Sequence, residues 1–225
     1  QLLVSINVYF MQHIAIITAR GNNESYKDKN VAEVRGVPCV AYPIQAATQA
    51  ARVGTVFVST EDPLIRETSE SRGAVVLDRP AELSRKDTNH GDVILQAAQQ
   101  AMEYLGDEIG VVTVLLGNSV MLTSGLIDKM IARLETDATL DSCMTVWKAQ
   151  DDHPYRAMVV NDEGCLESLD PSVKPDTNRQ SYPDVYFYDQ GPWCVRHESL
   201  LASRQSREGP GPWWWMGKRC QAIER

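Results

Sequence analysis

Short apolar runs alternate with longer amphipathic segments over residues 13–149 of the chain. The apolar runs predict strands at residues 13–18, 55–60, 74–77, 111–116 and 141–149. Apolar residues at helical spacing predict helices at residues 38–52, 63–73 and 90–105, and another after Ser124, which is expected to cap it. Asp62 followed by Pro63 marks one helix start. This alternation predicts a three-layer, Rossmann-like α/β fold with a mostly parallel sheet.

The pattern changes at about residue 150, where prolines and aromatic residues become frequent. Residues 150–190 are predicted to form an arm inserted into the sheet, with short strands at 158–160 and 185–188, and residues 193–196 return to the sheet. The run Trp213-Trp214-Trp215 is expected to cover the sheet edge or a partner. The predicted organisation is one domain over residues 11–225, preceded by an extension of residues 1–10.

Composition and charge restrict the class of protein. The 225 residues are 43% hydrophobic, carry a net charge of −8 and contain no apolar run near the roughly 20 residues that span a bilayer. A strongly acidic chain is unlike a general nucleic-acid binder, although a local basic pocket is compatible with it. The five cysteines are widely spaced and predict free thiols. We therefore expect a cytoplasmic protein without membrane or nucleic-acid partners.

The segment Ala19–Asn30, ARGNNESYKDKN, follows the first predicted strand and is suited to binding an anion. Arg20 and Lys29 supply positive charge, and Gly21 permits a tight turn. Its spacing is neither a GxGxxG fingerprint nor a GxxxxGK[ST] phosphate loop. The next three strands end in STED, DRP and GNS, so four polar loops are expected at one edge of the sheet, where ligands bind in folds of this type.

Five segments in order resemble the CMP-N-acylneuraminate (sialic acid) cytidylyltransferase family. They are ARGNNESYKDKN (19–30), VFVSTEDPLI (56–65), DRPAELSRKDTNHGDVILQA (78–97), RQSYPDVYFYDQGPW (179–193) and MGKRC (216–220). The resemblance implies a nucleotide-diphospho-sugar transferase fold. It also implies transfer of CMP from CTP to an acidic nine-carbon sugar with release of pyrophosphate, Mg²⁺ as cofactor, and a homodimer formed through the arm.

The resemblance also implies roles for individual residues. Arg20 and Lys29 would act in catalysis beside the phosphates, where positive charge stabilises the leaving pyrophosphate. The other residues implied in nucleotide binding are Ala19, Gly21, Asn30, Arg79 and Asn89. Those implied on the sugar side are Asn118, Arg179, Gln190 and Gly191.

Three departures from the family pattern leave alternatives open. Glu24 stands where the family has a lysine, and GNSVMLT (117–123) replaces the family's QPTSPLR. The family's metal-binding aspartates are expected beyond Arg225, and Asp62 and Asp189 are weak substitutes, better explained as a helix cap and a turn. The alternatives are an enzyme of the same fold with a changed nucleotide or sugar, and a homologue that binds nucleotide without turnover.

Other candidate sites are weaker. Ser59-Thr60 with His90 has no acidic partner and no strand–Ser–helix turn, so nucleophilic catalysis is disfavoured. Asp151-Asp152-His153 is better explained as a solvated turn than as a metal site. Tyr182 and Tyr186 are predicted to pack in the core or an interface rather than on a base or sugar.

Overall fold

A seven-stranded sheet forms the centre of the protein in the computed structural model, which describes residues 11–21, 26–106, 108–173 and 176–225, with only the main chain at Arg179. In chain order the strands are β1 Gln12–Thr18, β2 Glu33–Val34, β3 Val37–Pro38, β4 Thr55–Thr60, β5 Val75–Asp78, β6 Ile109–Leu116, β7 Ser142–Lys148, β8 Met158–Val160, β9 Leu166–Ser168, β10 Tyr186–Arg196 and β11 Cys220–Glu224. The α-helices are α1 Ala41–Thr48, α2 Pro63–Glu70, α3 His90–Leu105, α4 Ser124–Thr136 and α5 His197–Ser206.

The sheet has the strand order β11-β7-β10-β6-β1-β4-β5. All neighbouring pairs are parallel except those of β10, which is antiparallel to both β6 and β7. A parallel sheet is buried on both faces, and Ile14–Ile17 of β1 are accordingly inaccessible to solvent. Because β10 runs the other way, its first residues lie at the edge where the parallel strands end.

Two hydrophobic layers enclose the sheet, as the three-layer prediction requires. One layer packs α1, α2 and α4 against one face, with Ile44, Ile131 and Leu134 fully buried or nearly so. The other packs α3, α5 and the tryptophan segment against the opposite face, around Phe57 and Ile94. The predicted mostly parallel α/β fold is therefore confirmed.

Several local predictions are confirmed closely. Strand β4 and helix α3 have the predicted bounds, and β1, β5, β6 and β7 differ from the predicted strands by one or two residues at an end. The Asp62 carboxylate accepts hydrogen bonds from the amides of Leu64 and Ile65, so Asp62 is the expected cap of α2, with Pro63 at the first helical position. The cap explains Asp62 without any ligand.

Other local predictions were wrong in their bounds. Helix α1 is shorter than residues 38–52 because Val37–Pro38 pairs with Glu33–Val34 in a small hairpin. Thr123, not Ser124, caps α4, since the Thr123 hydroxyl accepts from the amide of Leu126 at 3.4 Å.

The region after residue 150 differs most from the prediction. The two strands predicted at 185–188 and 193–196 are parts of the single long strand β10, Tyr186–Arg196, whose register against β7 shifts between Tyr188 and Trp193. The arm therefore ends before Tyr186, and its only strands in the described part are the hairpin β8–β9. Helix α5 and strand β11 were not predicted, because Leu200 and Ile223 are the only apolar residues that they bury.

The tryptophan run lies in the interior rather than over an exposed edge. Trp214 and Trp215 are 7% and 1% exposed, and a Cβ at Gly91 of α3 would stand 2.5 Å from Trp214 and 2.8 Å from Trp215. None of the described helices is long and apolar enough to cross a bilayer. All five cysteines are free thiols, as predicted.

We predict that Gly91→Ala destabilises the fold by about 1–3 kcal/mol, because the added methyl overpacks the indole rings by more than the helix gains from alanine. Gly125→Ala in α4 is the matched control, since its Cβ would meet no atom within 4 Å. Urea unfolding should show a lower midpoint for the first variant only, and equal midpoints would contradict this packing.

Candidate active site

The polar loops meet at one edge of the sheet, as predicted from the strand order. Ala19 directly follows β1, Arg79 follows β5 and Gly117 follows β6, and the antiparallel β10 brings Gln190 to the same edge. Between them lies an open cavity of about 260 Å³, here called the basic cavity. It is lined by Thr18, Arg20, Lys29, Asn30, Arg79, Leu83, Arg85, Thr88, His90, Val93, Leu116, Asn118 and Gln190.

The basic cavity is strongly positive although the chain is acidic. Four of its described lining residues are cationic (Arg20, Lys29, Arg79 and Arg85), and none of the described lining residues is a carboxylate. Clustered positive charge in a concave site raises the local concentration of anions and holds them there. The lining therefore favours a polyanionic ligand.

Arg79 forms the floor of the basic cavity. Its guanidinium donates to the Ser59 hydroxyl at 3.2 Å and to the Ser59 carbonyl at 2.7 Å, and the residue is 7% exposed. Burial lowers the pKa of Arg79 to about 10; Glu61 opposes the shift and Arg20 adds to it. The group still carries its charge at neutral pH, so a fixed cation lies beneath the cavity.

Arg20 and Asn30 are held by contacts that join two loops. Arg20 Nη1 donates to the Arg85 carbonyl at 2.7 Å, and Asn30 Nδ2 donates to the Arg20 carbonyl at 2.7 Å. Asn30 is 3% exposed, and its own carbonyl accepts from the amide of Val40. Asn30 thus fixes the position of Arg20 at the start of the Ala19–Asn30 segment.

Gly21 and Gly117 are required for space rather than for backbone conformation. A Cβ on Gly21 would stand 2.5 Å from Asp62 Oδ2, and a Cβ on Gly117 would stand 2.7 Å from the Cβ of Ala19. The Gly21 φ angle does not lie in the left-handed region, so the predicted reason for this glycine was wrong. The Gly21 amide donates to Glu61 Oε1 at 2.9 Å.

His90 stands at the first position of α3 and lines the basic cavity. Its Nε2 lies 2.9 Å from the Thr18 hydroxyl, and its ring makes edge contacts with Trp193 and Trp215. Burial lowers the pKa of His90 to about 4, and the charge of Arg79 lowers it further. His90 is therefore a neutral hydrogen-bonding group at physiological pH.

A second, adjoining cavity of about 300 Å³, here called the side cavity, continues from the basic cavity. Asn118 and Gln190 line both cavities, and Gly191 lines the side cavity. Its full lining is Leu116, Asn118, Ser119, Val120, Met121, Leu122, Asp189, Gln190, Gly191 and Arg225. The edge thus holds two connected compartments, one basic and one of mixed character.

The structure brings six of the predicted site residues into the wall of the basic cavity: Arg20, Lys29, Asn30, Arg79, Asn118 and Gln190. Ala19 is buried behind the wall, with its amide bonded to the Ser59 carbonyl. Asn89 caps α3, and its Oδ1 accepts from both the Gly91 amide and Trp214 Nε1. Their predicted nucleotide contacts stay predictions. The Arg179 side chain and Glu24 lie outside the described residues.

Sequence reasoning missed Arg85 and Thr88, which close one side of the basic cavity, and it gave His90 a role only in a disfavoured nucleophilic site. Arg85 lies within segment 78–97, one of the five that resemble the family, but the resemblance implies no role for Arg85. A lysine and an arginine are adjacent there, and only the fold shows which one turns inward.

The described side chains do not form a metal site by themselves. No group of three or more His, Cys, Asp or Glu residues among them is placed to hold an ion. Asp62 is occupied as a helix cap, and Asp189 accepts from the Gln190 amide and pairs with Arg225. These carboxylates therefore do not fit a protein-held Mg²⁺, and the expected cofactor stays a prediction.

The histidine of the Asp151-Asp152-His153 turn is buried rather than solvated. His153 is 4% exposed, its Nε2 donates to the Pro183 carbonyl at 3.0 Å, and its ring packs against the rings of Tyr155 and Tyr182. The turn is packed at the base of the arm, and Tyr182 packs there, as predicted for an aromatic side chain with a structural role.

We predict that the His90→Gln variant loses less folding stability than the unsubstituted protein when the pH is lowered. The pKa of His90 lies below its ordinary value of about 6.5, so the unfolded chain binds a proton that the folded chain lacks between about pH 6.5 and 4. Stability therefore falls as pH falls through this window, by up to about 3 kcal/mol from this group. Urea unfolding at pH 7, 5.5 and 4.5 measures it.

The slope should not vanish in this variant, because burial also lowers the pKa of His197. His197→Gln is therefore the companion variant, and the two substitutions together should remove most of the slope above pH 4.5. Identical slopes for His90→Gln and the unsubstituted protein would show that His90 is not held neutral by its surroundings.

Two solved structures share the fold over nearly the whole chain. A CMP:2-keto-3-deoxy-manno-octonic acid synthetase complexed with CTP matches with a TM-score of 0.66 at 16% identity, covering 95% of this chain and 90% of that one. A 4-diphosphocytidyl-2C-methyl-D-erythritol synthase from Anaerococcus prevotii matches with a TM-score of 0.62 at 14% identity, covering 95% and 89%. At these identities the likeness shows the fold alone.

Sequence comparison shows the family. N-acylneuraminate cytidylyltransferases from Oncorhynchus mykiss and Escherichia coli are 32% identical over 89 residues and 33% identical over 91 residues. These segments cover 39% and 40% of this chain and only 21% and 22% of the relatives. The matched segment thus spans about a fifth of their length. The family model described as Cytidylyltransferase matches residues 14–166, more than half of the chain, and the chain therefore belongs to the cytidylyltransferase family.

Proposed function

We propose that the protein is a nucleotidyltransferase that uses CTP to activate an acidic, sialic-acid-like sugar, giving a CMP-sugar and pyrophosphate. The observation that carries this proposal is the basic cavity, whose described lining has four cations and no carboxylate. A triphosphate is the polyanion that a cytidylyltransferase binds, and the cavity lies at the edge of the sheet where this fold type takes its ligands.

The proposed reaction needs positioning and charge neutralisation rather than a covalent intermediate. A sugar hydroxyl oxygen forms a bond to the α-phosphorus, the bond from that phosphorus to the bridging oxygen breaks, and pyrophosphate leaves with the electron pair. The hydroxyl proton passes to water. In this proposal Arg20 and Lys29, which line the basic cavity, bind the phosphates, and the positive charge of Arg79 stabilises the negative charge that develops on the leaving group.

His90 has a different proposed role, because its imidazole is neutral and forms a hydrogen bond with the Thr18 hydroxyl. Together with the buried indoles it forms a rigid wall for the basic cavity. A rigid wall limits the loss of side-chain entropy when the nucleotide binds. His90 would thus position ligand without taking part in proton transfer at neutral pH.

A changed sugar is the second candidate, and the loop Gly117–Thr123 supports it. Val120, Met121 and Leu122 line the side cavity where the family's segment is more polar. Met121 is 76% exposed, so this apolar wall is open to a ligand. The candidates differ only in acceptor, and the solved relatives named above act on two different acceptors by their titles.

The predicted homodimer is also part of the proposal. The β8–β9 hairpin of the arm exposes Met158, Val160 and Leu166 to between 55% and 68%, and Leu169, directly after the hairpin, is 59% exposed. Contiguous exposed apolar residues mark interaction surfaces. A homodimer formed through this hairpin would bury them.

We predict that CTP stabilises the protein more than UTP, ATP or GTP does, and that CTP with Mg²⁺ and an acidic sugar releases pyrophosphate. At 100 times its dissociation constant a ligand adds about 2.7 kcal/mol to folding stability. Arg20→Ala and Lys29→Met should reduce this gain to about half or less, since each removes a charge-assisted contact. Thermal unfolding with and without nucleotide is the measurement.

Arg72→Ala is the matched control, because Arg72 is an exposed arginine after α2 that does not line the basic cavity. An unchanged CTP response in both Arg20→Ala and Lys29→Met would place the phosphates elsewhere. CTP binding without pyrophosphate release, with a panel of acidic sugars, would instead indicate a homologue without turnover.

We predict that Val160→Asp, at a position 68% exposed in β8, converts the homodimer to a monomer, because a charge would be buried at the interface. Light scattering coupled to size exclusion gives the mass. Leu64→Asp, at a position 52% exposed in α2, should leave the mass unchanged. A monomer before any substitution would reject the arm as an interface.

A further inference from the structure

Arg225 is a charged group in the side cavity that the predicted site did not include. Its backbone amide donates to the Val146 carbonyl at 3.0 Å, which fixes the residue beside β7. Its guanidinium reaches back across the sheet edge: Nη1 contacts Asp189 Oδ2 at 2.5 Å, and Nη2 donates to the Met121 carbonyl at 2.6 Å. Hydrogen bonds thus hold both the main chain and the guanidinium of Arg225.

These two contacts leave much of the guanidinium available. An arginine has five N–H donors in a planar fork, and the contacts to Asp189 and Met121 use two of them. Three donors remain without a partner among the described residues. A planar fork with free adjacent donors matches the two oxygens of a carboxylate.

Asp189 makes this arrangement rigid. Its Oδ1 accepts from the Gln190 amide at 2.7 Å while Oδ2 holds Arg225, so both carboxylate oxygens are occupied. The pair therefore fixes the guanidinium in one orientation before any ligand arrives. A donor that is already oriented loses less conformational entropy on binding.

The remaining walls of the side cavity define the rest of a ligand. Asn118 and Gln190 stand between the side cavity and the basic cavity and offer amide groups that suit hydroxyls. Val120 and Met121 offer apolar contact on the other side. A hydroxylated acid with an apolar substituent, placed next to a triphosphate, matches this distribution of groups.

We propose that Arg225, oriented by Asp189, recognises the carboxylate of the acidic sugar acceptor and so determines the specificity of this enzyme for an acid. The proposal rests on the proposed function, since the acceptor must lie beside the nucleotide. It also explains how the loop Gly117–Thr123 serves an acidic substrate without the arginine of QPTSPLR, because the Met121 carbonyl of that loop accepts from the guanidinium of Arg225, which follows β11.

A purely structural role for Arg225 makes a different prediction. If Arg225 only connects the loop that contains Met121 to β10, its replacement would disturb the side cavity equally for every acceptor. Recognition of the carboxylate affects only acceptors that carry one. The ratio of kcat/KM for an acid to that for its uncharged ester therefore separates the two roles.

The experiment measures pyrophosphate release from CTP and Mg²⁺ with N-acetylneuraminate and with its methyl ester. The unsubstituted protein should prefer the acid by about 10- to 100-fold in kcat/KM, the range expected for a hydrogen bond to a charged group. Arg225→Met should bring this ratio close to one, mainly through KM for the acid, with the KM for CTP unchanged. Arg225→Lys, which keeps the charge but loses the fork, should give an intermediate ratio.

Arg219→Met is the matched control, because Arg219 is an exposed arginine directly before β11, as Arg225 is directly after it, and does not line either cavity. Its ratio should equal that of the unsubstituted protein. If Arg225→Met keeps the full preference for the acid, or slows the acid and the ester equally, the proposed recognition is wrong while the proposed function stands. No pyrophosphate from the unsubstituted protein with either acceptor, or with other sugar acids, would overturn both.

Discussion

The site depends on the hydrogen bonds that hold the buried guanidinium of Arg79 against Ser59. Moving a charge out of water is costly, and the Ser59 hydroxyl and carbonyl offset that cost by accepting hydrogen bonds. Ser59 lies near the end of β4 and Arg79 directly follows β5, so the parallel pairing of these two strands determines where the charge lies. The result is a cation that cannot turn away, beneath a cavity whose described walls carry three more.

Strand β10, which is antiparallel to both of its neighbours in the seven-stranded sheet, gives the edge its second compartment. If β10 ran parallel, Gln190 would lie at the opposite end of the sheet, far from Arg20 and Asn118. Because β10 runs the other way, its first residues stand beside the carboxyl ends of β6 and β7. The basic cavity and the side cavity therefore share a wall, which is the geometry that transfer between two substrates requires.

The packing that stabilises one face of the sheet also positions residues of the site. The indoles of Trp214 and Trp215 pack tightly against α3, and the same contacts place Asn89 and His90 at the start of that helix. A neutral His90 lies beside a charged Arg79 because burial lowers both pKa values, to about 4 and about 10, and only that of His90 lies below neutral pH. The rigid core thus sets the protonation of the groups that line the cavity.

Periodicity and local signals in the sequence were enough to determine the alternating strands and helices, the cap at Asp62 and the loop of Arg20 and Lys29, because these depend on neighbours in the chain. They were insufficient for α5 and β11, where one buried apolar residue each leaves no periodic signal. Only the tertiary structure decided that Arg85 lines the basic cavity and that Arg225 reaches Asp189, 36 residues earlier in the chain. Such contacts depend on strand order and direction, which bring distant segments together and which no local pattern encodes.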